Sequence, residues 1–422
     1  MAAEGTIAEG KTRRRLWHPW QGLAGLPGDA WVLAGATLIN RSGSMVLPFL
    51  VLYLTQHVGM SPSLAGGMLA VYGGSSLAAA PVFGNLSDRF GPVRVMRFTL
   101  VSSGLLMLVY PVAHHVAAIV GVTVLLAVVT EGFRPASLAM YSDLVAPERR
   151  KPAFALARLA INLGMSVGPA LGGFLAERSF LYLFWVNGGT TLAAASVILL
   201  WPFGRRKHTA LGTTVGPRPL AGGAGALAAA EVESEPQAPA GSAWQDRRFL
   251  AFLLAVFPLV LVFFQHMGPM ALYLVDGLHL SKQAYGWMFT INTLMIVFLE
   301  VPLNTAMAHW PHGKALALGA VLTAVGFGGL AFARGMALVV VATVVWTFGE
   351  MVLFPTMSAY VADAAPAHRR GQYMGLYTMT FGLAFAVGPW LGTLLLVHFG
   401  GGALWGASFL VALLAAFLFR RL

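Results

Sequence analysis

The chain of 422 residues contains no cysteine. That excludes a disulfide framework, a thiolate metal site and a cysteine nucleophile, and it leaves the redox compartment unmarked. Charge is the second scarcity. Only 10% of residues are charged, against about 25% in soluble domains. Acidic residues are the scarcer sign, 16 against 27 Lys and Arg, for a net charge of +11. What fills the chain is apolar: 57% of residues are hydrophobic and the mean hydropathy is +0.73. That much apolar surface calls for lipid rather than for a larger core. A positive balance raises nucleic acid as a partner. The basic residues, however, sit in short clusters between apolar runs, as lipid-flanking charges do, so nucleic acid is set aside. The first thirty residues lack a signal-peptide pattern, because no apolar run follows Lys11-Thr12-Arg13-Arg14-Arg15 before Trp31.

Residues 1–29 read as a basic cytoplasmic tail bearing Gly and Pro. Apolar segments follow at roughly 30–54, 63–83, 95–113, 116–141, 153–176 and 181–203. Each approaches or exceeds the about 20 residues that span a bilayer. Residues 204–246 break the pattern with Arg205-Arg206-Lys207, an Ala/Gly/Pro-rich run and Glu231, Glu233 and Glu235. They read as a flexible cytoplasmic linker. Six more spans follow at roughly 249–275, 285–307, 314–332, 336–360, 373–398 and 403–419, within a second unit of residues 247–422. The expectation is an all-α membrane protein of twelve spans in two six-helix bundles, 30–203 and 247–422. Lys and Arg set the orientation. Arg178, Lys282 and Arg334 fall at one set of span ends, and Arg41, Arg134 and Arg158 fall within spans. The other basic residues gather on the side of the N-terminus. Both termini and the linker are therefore expected in the cytoplasm, in the inner membrane of a bacterium.

The chain repeats itself. Tyr53-Leu54, Ser61 and Gly66 recur as Tyr273-Leu274, Ser281 and Gly286. Pro135, Asp143, Arg149-Arg150 and Gly168-Pro169 recur as Pro355, Asp363, Arg369-Arg370 and Gly388-Pro389. One offset of 220 joins every pair. Two structural duplicates follow, as in transporters built from parallel repeats.

Between the second and third spans stands Gly84-Asn85-Leu86-Ser87-Asp88-Arg89-Phe90-Gly91-Pro92-Val93-Arg94. Two glycines permit a tight turn. Asp88 can pair with Arg89 or Arg94, or sit at a helix N-terminus. The fifth span carries Gly164, Gly168, Pro169, Gly172 and Gly173. Glycines four apart allow close helix approach, and Pro169 removes a backbone donor and favours a kink. The spacing G-x-L-x-D-R-x-G-x-x-R resembles the signature loop between helices 2 and 3 of the major facilitator superfamily. The fifth-span motif G-x-x-x-G-P-x-x-G-G looks like that of its twelve-helix drug:proton antiporters. The eleventh span echoes that motif less completely in Ala384, Gly388-Pro389 and Gly392. The second-half copy of the signature loop, around Asn304 to Lys314, lacks the aspartate. The family's fourth-helix motif, an arginine followed by a glycine, is not matched, since Arg134 comes after Gly132.

Ionisable groups inside spans are costly and mark function by default. Glu131 and Glu350 lie about 15 Å from the inner ends of the fourth and tenth spans, and Arg41 about 17 Å into the first. The resemblance implies that helices 1, 4, 7 and 10 line a central cavity, so these groups are expected to face one another. Arg134 can pair with Glu131 at i,i+3. One reading is a structural ion pair. The other is a proton-coupling acid, Glu131 first and Glu350 next, held between the opposed influences of desolvation and a nearby guanidinium. In that reading a cationic substrate could compete with the proton for the carboxylate. Gln265, His266, Asn40 and Asn292 are midspan polar candidates for substrate contacts. Phe133 and Trp346, with Tyr53, Trp287, Phe354 and Tyr377, are aromatic candidates that equally suit helix packing. Arg158 and Glu300 lie shallowly in the fifth and eighth spans. The resemblance makes those helices neighbours across the halves, so the pair is expected to latch the cytoplasmic side.

The function these features imply is proton-coupled export of an amphipathic small molecule by alternating access. The expected partners are the bilayer, the substrate and protons, with no cofactor or metal, and the chain is read as a monomer. A nutrient symporter is the first rival. The fifth-span motif argues against it, as does the lack of the peptide transporters' acidic residues beside Arg41. An intramembrane enzyme finds no nucleophile–base pair or phosphate loop to support it. A uniporter or sensor on the same fold stays open.

Overall fold

The computed structural model describes residues 23, 25–146, 149–203, 243–366 and 369–421. The expected N-terminal tail, up to Gln21-Gly22, and nearly all of the expected linker lie outside the described residues. The described chain is helical, without strands. Eleven helical stretches are long and apolar enough to cross a membrane. They are α1 (Gly28–His57), α2 (Pro62–Phe90), α3 (Pro92–Val112), α4 (Val116–Leu144), α5 (Arg150–Arg178), α6 (Leu181–Leu200), α7 (Arg247–Gly277), α8 (Lys282–Ala306), α9 (His312–Phe332), α10 (Met336–Ala364) and a last run, Arg370–Phe419. That run holds Gly400 at φ 80° and ψ 173°, where the helix breaks. Only glycine adopts such angles readily. The run is therefore two helices, α11 (370–399) and α12 (401–419), which makes twelve crossings.

The offset of 220 holds in three dimensions. Ser61 and Ser281 cap α2 and α8, accepting from the backbone N–H of Leu64 and Ala284. Such caps satisfy donors that the helix start leaves free. Tyr53–His57 and Tyr273–Gly277 are matching single turns of π-helix that end α1 and α7. Both first helices of the halves are broken in midspan. α1 breaks at Gly43, after Ser42, and α7 breaks at Phe264–His266, followed by Gly268 at φ 88°. Broken helices at the bilayer midplane are where transporters place their binding groups.

The signature stretch departs from the expected loop. α2 runs on to Phe90, and the turn is Gly91 alone, at φ 83°, with Pro92 opening α3. Gly84 lies inside the helix with open space beside it. Gly84, Asn85, Ser87 and Asp88 are weak helix formers, so intrinsic propensity does not account for this extension, and the exposed polar side chains reach the surface from the helix. Asp88, Arg89 and Arg94 are exposed. Among the described residues Asp88 makes no ion pair with either arginine.

The halves meet along two seams, α5 against α8 and α2 against α11. Small residues let the backbones touch. A Cβ on Gly173 would lie 2.6 Å from the Lys282 carbonyl oxygen, and one on Gly286 would lie 2.4 Å from that of Pro169. At the other seam, Gly66 abuts Thr393 and Gly73 abuts the Ala386 backbone. These contacts close the end opposite the chain termini, called the distal end below. There Gln56 donates to Asp276 at 2.8 Å, and the two are repeat mates meeting across the interface. Lys282 adds a backbone donation to Glu177 at 2.5 Å, an ammonium contact to the Ala176 carbonyl and a position over the Phe180 ring. Large apolar side chains such as Leu254, Phe298, Phe332 and Leu410 stand on the outer surface, as a lipid-facing belt requires.

Candidate functional site

The glycines of α5 seat the midspan break of α1. A Cβ on Gly164 would fall 2.4 Å from the Arg41 Cβ. One on Gly168 would crowd the Arg41 and Ser42 carbonyls, and one on Gly172 the Met45 Cβ at 2.7 Å. Pro169 and Gly173 face α8 instead. The motif thus packs one helix onto two partners, and its immediate product is the fixed position of Arg41. Among the described residues Arg41 forms no ion pair, and its Nε is buried without a hydrogen-bond partner.

The expected Glu131–Arg134 pair is not made. The two residues stand on either side of an interruption at Gly132, whose N–H bonds back to Val129. That tightened turn shifts the i,i+3 register, and Arg134 comes out exposed. Glu131 remains within electrostatic reach of Arg134 and Arg41 but is bonded to neither. Tyr72 on α2 lies in the same group, within reach of Glu131 and Arg41.

The second half arranges its acid differently. Asn292 on α8 donates from Nδ2 to Glu350 Oε2 at 2.6 Å and also reaches Thr347 Oγ1 at 3.1 Å. Among the described residues no basic group pairs with Glu350. Asn292 stands 220 residues after Tyr72 and Glu350 the same distance after Thr130. The positions of Asn292 and Glu350 on α8 and α10 are thus those of Tyr72 and Thr130 on α2 and α4. Nearer the termini, Arg158 on α5 donates to Glu300 on α8 and so bridges the halves. Asn304 ties that region of α8 to α10 through the Glu300 and Met351 carbonyls.

Several residues expected at a cavity have contacts within the fold. Asn40 Oδ1 accepts from Thr191 on α6 at 3.2 Å and faces that helix. Gln265 Nε2 bonds the carbonyls of Leu261 and Gly388, filling the space beside Gly392 and tying broken α7 to α11. His266 holds the Phe263 carbonyl at 2.6 Å and is boxed by Phe263, Phe289 and Trp346. Phe133 is buried in a core of first-half residues, and Trp346 in a larger core that draws on both halves. Among the described residues Gln265 Oε1 and Trp346 Nε1 stay buried without a hydrogen-bond partner. Sequence reasoning missed Tyr72 and Asn187. Asn187 accepts from the backbone of Val46 at 3.4 Å, at the restart of α1. Repeat alignment of Tyr72 with Asn292 was the available signal for the first. Nothing local marks the second.

The model of the family described as Major Facilitator Superfamily matches residues 32–273 and 253–422. The chain is 25% identical to the multidrug resistance protein MdtH of Aeromonas hydrophila, over 89% of this chain and 87% of that protein. It is 24% identical to a Na(+), Li(+), K(+)/H(+) antiporter of Planococcus maritimus, over 85% of this chain and 87% of the antiporter. Its fold superposes on a D-xylose–proton symporter with a TM-score of 0.67 at 16% identity, covering 93% of this chain and 97% of the symporter. Two six-helix repeats with broken first helices and matched glycine seams, spanned end to end by the family match, make this chain a member of the major facilitator superfamily.

Proposed function

We propose that this transporter exports amphipathic small molecules in exchange for protons by alternating access, from the inner membrane of a bacterium, with both termini in the cytoplasm. The clustering of Lys and Arg at the termini end supports that orientation. The distal seal then faces outward, and the structure corresponds to a state closed to the outside. The observation that carries proton coupling is Glu350. It sits in midspan and is held by one neutral amide donor, so it can take or give up a proton without breaking an ion pair. Glu131, under two guanidiniums, is the second candidate. The names of the MdtH and antiporter relatives agree with efflux and exchange.

The test is a proteoliposome assay with an imposed pH gradient and a panel of cationic, neutral and anionic aromatic compounds. Wild type concentrates a substrate against its gradient in the compartment from which protons leave. Glu350→Gln abolishes that accumulation and keeps substrate counterflow. Co-movement of substrate with protons would make the protein a symporter, and full accumulation in Glu350→Gln would move coupling to another acid.

A further inference from the structure

Arg41 is a charge without employment. Arg158 has Glu300, Arg97 bonds the Ile198 and Leu199 carbonyls, and Arg178 lies over Phe174. Arg41, deeper than any of these, has only the last turn of the first segment of α1, whose dipole tolerates a cation. Two glycines of α5, Gly164 and Gly168, pack against its stem and backbone. A guanidinium held this firmly in midspan with an unpartnered Nε is a vacancy for an anion.

The surroundings say what the rest of that anion resembles. Tyr72, within electrostatic reach of Arg41, meets Phe385 of the other half edge-on at 6.4 Å between centroids. Phe385 packs on Phe264 at 5.0 Å, Phe264 on His266 at 6.2 Å, and His266 on Trp346 at 6.0 Å. An aromatic track thus leads from the arginine into the second half. Aromatic surfaces favour flat apolar bodies by stacking. We propose that Arg41 anchors the carboxylate or sulfonate of an aromatic organic acid, whose ring lies along the Tyr72–Phe385–Phe264 track. The proposal rests on the transport reading for its purpose and narrows the substrate from amphipathic molecules to amphipathic anions. Glu131, the one carboxylate within electrostatic reach of Arg41, competes with the ligand for the guanidinium.

Equilibrium dialysis on the full chain in nanodiscs, with empty discs subtracted, tests this without any gradient. The probes are radiolabelled naphthoate, naphthalenemethanol and naphthylmethyl-trimethylammonium, which share one ring system and differ in charge. Charge-assisted pairing predicts that naphthoate binds roughly tenfold or more tighter than the alcohol. Arg41→Gln brings naphthoate down to the alcohol's affinity, Arg41→Lys leaves it between, and Glu131→Gln tightens it several-fold. Best binding of the ammonium probe, no binding of naphthoate, or equal naphthoate affinity in wild type and Arg41→Gln would overturn the anchor. Should Arg41→Gln fail to fold, unchanged affinity in both Arg41→Lys and Glu131→Gln does the same. A chain that binds naphthoate with this pattern but moves nothing in proteoliposomes would sink the transport reading and leave the anchor standing.

Discussion

Glu131 and Glu350 lie at similar depth and differ in what surrounds them. Asn292 fixes Glu350, while Glu131 has charges nearby and no bonded partner. Removing the donor should therefore be felt. Asn292→Leu is expected to cost about 1–3 kcal/mol of stability, the penalty for a buried acceptor left alone, read as a lower melting temperature in detergent. Asn292→Gln should restore part of it. Asp88 is the opposite case, an exposed carboxylate with no ion pair in this state. Asp88→Asn should leave melting unchanged and slow transport, on the proposal that this carboxylate makes its contacts in the alternate state. Wild-type transport in Asp88→Asn would reduce it to a solvated turn residue.

At the scale of helices, the glycines divide by what stands opposite them. Gly164 faces the Arg41 Cβ and the Ser42 backbone, and Gly84 faces open space. Gly164→Leu should lower the yield of folded protein, since overpacking costs about 1–3 kcal/mol or more. Gly84→Ala should be tolerated or raise stability, by up to about 1 kcal/mol, measured by thermal melting of both variants. The sequence puts a glycine at both sites and does not say which one has a neighbour opposite it. What it shows well is whatever is repeated or periodic: the recurrence of Tyr53-Leu54 and Ser61 as Tyr273-Leu274 and Ser281, and the span pattern. What it hides depends on distant partners. Thr191, 151 residues from Asn40, turns that side chain toward α6. A tightened turn at Gly132 removes the Glu131–Arg134 register. Gly91 alone, rather than a whole loop, turns α2 into α3. Periodicity cannot report such choices, because each is made by tertiary packing after the helices exist.

For the whole molecule, the repeat supplies both the seal and the means of reversing it. Two seams related by one offset can rock about the axis on which Gln56 and Asp276 meet. The absence of native cysteine makes topology easy to read. A cysteine at Ala117, on the distal end of α4, should react with an impermeant thiol reagent in intact cells. One at Ser234, in the expected linker, should stay protected, and the reverse pattern would invert the orientation. The most direct measurement of coupled alternating access is a pair of spin-label distances between repeat mates. Ala117 and Ala337 report the distal end, and Arg94 and Lys314 the termini end; all four are exposed. Between pH 5 and pH 8 the two distances should shift in opposite senses in wild type, one population lengthening as the other shortens, and should cease to respond in Glu350→Gln. Distances that change together, or a pH response that survives in Glu350→Gln, would contradict the account.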